Sequence, residues 1–135
     1  MRVLLDTHAF LWFIGGDPHL SVLADRLIGD PENQRLLSIA SVCEIAIKIQ
    51  RGNLALAQPM EAFIPEQMAR NQIDYLEITP EHAMRVGSLG YGRLDSGAPH
   101  KDPFDRLIVA QSLIEAVPLI SIETVFDQYG VNRRW

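Results

Sequence analysis

Apolar and polar positions fall along this chain in short blocks that change period, and the blocks predict alternating strands and helices. The run Arg2 to Leu5 is continuously apolar after its first residue and is closed by Asp6, the pattern of a strand buried on both faces. His8 to Ile14 reads as a short apolar helix stopped by Gly15-Gly16. Ser21 to Ile28 reads as a second helix, with Ser21 as its cap and Val22, Leu23, Leu27 and Ile28 spaced for burial. Pro31 and Asn33 mark a turn before a strand over Arg35 to Ile39. A helix follows from Ser41 to about Arg51, stopped by Gly52-Asn53. Pro59 to Asn71 is another, with Phe63, Ile64 and Met68 on its apolar face. Tyr75 to Ile78 is a short strand, and Thr79-Pro80 opens a helix with a cap and a proline at its first position.

Gly90 to Pro99 is rich in Gly, Ser and Pro, hence a loop. Asp102 caps a helix over Pro103 to Glu115, and Pro118 leads into a strand over Leu119 to Ser121. A short helix near Thr124 to Tyr129 ends at Gly130, leaving Arg133-Arg134-Trp135 as a mobile tail. Strands alternating with helices imply βαβ units, so the expected class is α/β, a mainly parallel sheet with helices on both faces. No repeat or linker divides the chain, and residues 1–135 are read as a single domain. Ligands in such sheets sit beyond the carboxyl ends of the strands. Asp6 lies at one such end; Ser121 and Glu123 lie at another.

Composition narrows the picture less than pattern does. A net charge of −5 argues against a non-specific nucleic-acid coat, which is usually basic. It leaves a nucleic-acid enzyme open, because metal ions held by acids can meet a phosphate. No apolar run approaches the ~20 residues of a membrane span, and the N-terminus lacks a leader pattern. Cys43 is the single cysteine, which excludes an intrachain disulfide; it is expected to be buried and reduced. The cytoplasm is the expected compartment.

The candidate chemistry is carried by acids set against apolar segments, where a carboxylate is costly unless something cationic meets it. His100-Lys101-Asp102-Pro103-Phe104-Asp105-Arg106 places two carboxylates at the mouth of a helix whose other face is apolar. Asp102 can be a helix cap. Asp105 heads residues Leu107, Ile108 and Ala110, so its carboxylate is expected to point into a cleft. Glu44 has two structural alternatives: a capping box with Ser41, or an ion pair with Lys48 one turn on. Asp6 could cap the helix after it. Acids at three helix starts near strand ends would form a pocket where like charges repel without a cation, and Mg²⁺ or Mn²⁺ suits an all-oxygen site.

Other residues are weaker candidates. His8, His19, His82 and His100 show no zinc spacing, and a loop histidine such as His100 is by default solvated. No phosphate-binding glycine loop is present. Lys48, Arg51, Lys101 and Arg106 could hold phosphates, Arg106 foremost because it neighbours Asp105.

Together the segments do more than suggest a class. Leu4-Leu5-Asp6-Thr7-His8-Ala9-Phe10-Leu11-Trp12 resembles the opening of PIN-domain ribonucleases of the VapC toxin type. Ser38 to Lys48, His100 to Gln111 and Pro118 to Gly130 resemble that family's later segments in order and spacing. The resemblance covers essentially the whole chain. It implies a PIN-like three-layer fold with four to five parallel strands, an acidic pocket that binds Mg²⁺ or Mn²⁺, and cleavage of RNA. Carried over by position, the pocket comprises Asp6, Glu44, Asp105 and Glu123, with Asp102 as ligand or cap and Ser121 and Arg106 in supporting roles. Glu123 stands where Asp is more usual, and Cys43 where tryptophan is common. The resemblance also implies an antitoxin protein that covers the active cleft, and a homodimer. The alternatives are an acid-pocket DNA nuclease or phosphatase, and a non-catalytic binding module whose acids only cap helices.

Overall fold

The computed structural model describes residues 1–135. Its centre is a five-stranded parallel sheet of β1 (Arg2–Leu5), β2 (Gln34–Ser38), β3 (Ile73–Leu76), β4 (Leu119–Ile120) and β5 (Arg133–Arg134), in the order β3-β2-β1-β4-β5. The connecting helices are α1 (Thr7–Gly15), α2 (Val22–Gly29), α3 (Ile39–Gln50), α4 (Met60–Arg70), α5 (Pro80–Val86) and α6 (Pro103–Glu115), with a 3-10 turn over Thr124–Tyr129. The expected α/β class and strand number are borne out.

β1 shows why its sequence is apolar without alternation. Successive strand residues face opposite sides of the sheet. Val3 and Leu5 enter a core with Phe10, Ile28, Ile45 and Ile64, while Leu4 enters a second core with Ile108, Val109, Leu119 and Phe126. The chain runs outward from β1 through β2 to β3, then returns to add β4 on the other side of β1. The order therefore reverses between β1 and β4, where Leu5 pairs with Ile120. The carboxyl ends of those strands carry Asp6 and Ser121, the position where open α/β sheets bind ligands.

Several boundaries move, each for a local reason. α3 begins at Ile39 because Ser38 caps it, its Oγ accepting from Ala40 N at 3.0 Å. Ser41 consequently lies inside the helix, and the proposed Ser41–Glu44 capping box does not form. β3 starts earlier than expected, at Ile73, which is buried while Tyr75 is exposed. In α2, Ser21 caps as expected, but Val22 and Leu23 face solvent and burial falls on Ala24 and Ile28. Cys43 is exposed, a correction: Ser41 and Ile45 face inward on α3, and a residue two places from each points the opposite way. The C-terminus is an edge strand rather than a tail. Arg133 holds both oxygens of Asp127, at 2.8 and 3.0 Å, and the Trp135 ring packs 5.9 Å from that of Trp12. No helix is long and apolar enough to cross a membrane.

Candidate active site

Asp6 ends β1 and starts α1. As the cap of α1 it accepts the Ala9 N–H at 2.7 Å, so the capping expectation holds. Capping does not exhaust the residue, because Asp6 is only 4% exposed. Burial pushes its carboxyl up to about 6, against the pull of the Ser121 hydroxyl, the Ala9 N–H and His8, with Asp105 adding to the rise. Ser121 is fully buried at the end of β4 and accepts the Glu123 N–H at 3.0 Å.

Asp105 stands in the first turn of α6, and Asp102 before it is the cap, accepting the Asp105 N–H at 2.9 Å. The Asp105 carboxyl is not used for capping. It is likewise pushed up to about 6, first by burial and then by the charges of Asp102 and Glu44, while His100 lowers it. Asp105 thus senses the charges of Asp102 and Glu44, and Asp6 that of Asp105, around the sheet's switch point.

Glu44 is reached from α1. Thr7 Oγ1 lies 2.6 Å from Glu44 Oε1 and 3.0 Å from Ser41 Oγ. A hydroxyl has one proton, so Thr7 donates to the carboxylate and accepts from Ser41. The other oxygen of Glu44 pairs with Lys48 at 3.4 Å, and Lys48 Nζ lies 3.5 Å from His8 Nε2. Glu123 is exposed, and its side chain makes no hydrogen bond or ion pair, while its N–H is held by Ser121.

Two neighbours of Asp105 depart from expectation. His100 is buried, not solvated: Nε2 lies 2.9 Å from Asp105 Oδ2 and Nδ1 lies 2.8 Å from Tyr129 Oη. Arg106 is also buried, and its guanidinium is engaged within the chain. Nη1 donates to Gly90 O and Tyr129 Oη, Nη2 donates to Val86 O and Leu89 O, and Tyr91 covers the guanidinium at 4.4 Å. All four terminal N–H bonds are thereby used in fastening the chain after α5. Adjacent helix residues point about 100° apart, so nearness to Asp105 in sequence placed Arg106 on a different side. Arg106→Lys, which cannot span those carbonyls, is expected to lower unfolding free energy by about 2–4 kcal/mol in a urea titration.

The cluster fits a hard cation. Asp6, Glu44 and Asp105 carboxylates with the Ser121 hydroxyl form an all-oxygen donor set. No three His, Cys, Asp or Glu side chains converge into a ready-made cage. Mg²⁺ does not require one, since it keeps several waters and is held through one or two carboxylates.

The family model described as PIN domain matches residues 3–132. The chain belongs to the PIN-domain family. Solved structures extend the likeness in shape. This PIN domain is similar to a chain of VapBC2 from Rickettsia felis bound to a DNA fragment from their promoter, with TM-score 0.67 and 13% identity over 99% of this chain and 98% of that one. It is similar to a chain of VapBC-1 from nontypeable Haemophilus influenzae, with TM-score 0.65 and 18% identity over 99% and 97%. A chain of FitAB bound to an IR36 DNA fragment gives TM-score 0.61 and 16% identity over 98% and 93%. At these identities the likeness is one of fold. No curated protein matches the chain.

Proposed function

We propose that this PIN domain is a metal-dependent endoribonuclease, the toxin of a toxin–antitoxin pair of the VapC type. The observation that carries the reading is the pair Asp6 and Asp105, one buried and one half-buried carboxyl at the sheet's switch point, both pushed up to about 6. Buried like charges are a standing cost to the fold, and a divalent cation removes it. A bound Mg²⁺ or Mn²⁺ would lower the pKa of a water and offset charge on a phosphate. Asp6 and Asp105 would be its principal protein ligands. Glu44, braced by Thr7 and Lys48, would hold a coordinated or attacking water by accepting its hydrogen bond. Ser121 orients Asp6 from the neighbouring strand, and exposed Glu123 sits where it could meet substrate or water at the rim. Asp102 acts as a cap and raises the electrostatic demand of Asp105.

RNA as substrate rests on the likeness of the Asp6, Glu44 and Asp105 segments to VapC-type ribonucleases. The partner reading has a surface to act on. A groove of about 450 Å³ beside the acids is lined by His8, Trp12, Lys48, Leu54 and Phe63, among others. Its mostly apolar walls, with Lys48, the ion-pair partner of Glu44, among them, suit a peptide segment from an antitoxin. Homodimerisation belongs to the same reading, with light scattering as its check.

The test uses purified, partner-free protein with single-stranded RNA and with DNA of matched sequence. Defined RNA fragments are expected with Mn²⁺ or Mg²⁺ and none with EDTA. Equal cutting of the DNA would move the reading to a general nuclease. Absence of both cleavage and saturable metal binding would leave the acids as helix caps.

A further inference from the structure

One buried histidine beside the acids has both ring nitrogens engaged, and its partners settle where the proton sits. Tyr129 Oη receives the Gly92 N–H at 3.1 Å and an Arg106 Nη1 N–H at 3.2 Å, and it lies 2.8 Å from His100 Nδ1. A phenol has one proton to give and two lone pairs to receive. Amide and guanidinium N–H groups can only donate, so they take both lone pairs. The Tyr129 proton is then directed at Nδ1, which makes Nδ1 the acceptor and puts the ring proton on Nε2. Nε2 lies 2.9 Å from Asp105 Oδ2 and donates to it. The protein supplies no hydrogen bond to Oδ1 of Asp105.

We propose that Tyr129 and His100 form a positioning pair: the Tyr129 hydroxyl anchors the His100 ring through Nδ1 in the tautomer that donates from Nε2, His100 ties down Oδ2 of Asp105, and Oδ1 is left as the ligand atom. The role rests on reading Asp105 as a metal ligand. A free carboxylate turns easily about its last torsion, which has broad minima. Anchoring one oxygen fixes its plane before any cation arrives, and such outer partners of a ligand commonly govern metal affinity.

The chain is built closely around this pair. The His100 N–H donates to Gly92 O at 2.7 Å, so histidine and tyrosine are fastened to the same loop residue. A Cβ at position 92 would lie 3.2 Å from both Cε2 and Oη of Tyr129, so a larger residue there would press on the tyrosine ring. Packing alone would be served by an apolar side chain in place of His100, which is 3% exposed. The arrangement instead satisfies three polar groups in a fixed direction.

The experiment combines ¹⁵N NMR of the histidine rings in the metal-free chain with calorimetric titration of Mn²⁺. The proteins are wild type, His100→Gln, His100→Leu and Tyr129→Phe, each checked for folding by circular dichroism. The wild-type His100 ring is expected to carry its proton on Nε2 with Nδ1 accepting a hydrogen bond, and Tyr129→Phe to move the Nδ1 resonance to that of an unbonded ring nitrogen. His100→Leu should bind Mn²⁺ about 10- to 100-fold more weakly. His100→Gln, whose amide can donate to the same oxygen, should recover most of that loss. A proton on Nδ1 in the wild type, or a folded His100→Leu protein with wild-type affinity, overturns the proposal. If His100→Leu does not fold, an Nδ1 resonance in Tyr129→Phe unchanged from wild type overturns it. A wild-type chain that binds no Mn²⁺ sinks the metal reading itself, and with it the ligand role of Oδ1; that result is distinguishable from an unchanged affinity in His100→Leu.

Discussion

Asp6→Asn should abolish RNA cleavage and, in the metal-free protein at pH 7, raise the melting temperature. The substitution is nearly isosteric, and asparagine caps helices about as well as aspartate, so α1 keeps its start. The Ala9 N–H still finds an oxygen, and Ser121 still has a partner. What disappears is a negative charge that is 4% exposed and faces Asp105. A carboxyl raised from 3.8 to about 6 is destabilising when ionised, by an amount on the order of 1–3 kcal/mol at neutral pH. Removing it should return much of that to the fold, a gain of several degrees for a domain of this size. Cleavage should fall by at least about 10³-fold, because a ligand to the cation is gone. Thermal unfolding with EDTA, set beside an RNA cleavage time course, checks both halves. Lower stability together with lost activity would mean that Asp6 serves chiefly as a cap.

That opposition between stability and activity also explains what could be read along the chain. Asp6 and Asp105 were legible because an acid directly after an apolar strand, or at the head of an apolar helix, conflicts with its surroundings. The sheet was legible for the same reason: β1 carries apolar residues on both faces, and only a central parallel strand buries both. His100 was not legible, since its partner Tyr129 lies 29 residues away and nothing local distinguishes it from a solvated loop histidine. Thr7 bracing Glu44 spans 37 residues and was hidden for the same reason. Arg106 and Cys43 misled in the opposite way. Each adjoins an acid of the cluster in sequence, but helical geometry turns neighbours to different sides, burying one in a loop anchor and exposing the other. Glu123 was placed by its position after the last core strand and by family position, and its side chain is exposed.

Adding Mn²⁺ or Mg²⁺ should raise the melting temperature at pH 7.5 and have little effect at pH 5. In the metal-free chain the sign is set by two acids whose folded pKa lies above the unfolded value. Such a group binds its proton more tightly when folded, so its contribution to stability is complete below about pH 4 and is lost as pH rises through about 6. Metal-free stability should therefore fall across that window and then level off. A cation needs both carboxylates ionised, so its stabilisation grows over the same interval and opposes the loss. Well below pH 6 the affinity should drop toward about 100-fold per pH unit, two protons being displaced for each ion bound. At 100 times the dissociation constant the ion contributes about 2.7 kcal/mol, comparable with the cost of one raised carboxyl. Melting curves at pH 5, 6 and 7.5, with and without Mn²⁺ and with Asp105→Asn as control, measure this directly. A metal-induced shift that persists unchanged at pH 5, or survives in Asp105→Asn, would place the ion on other residues.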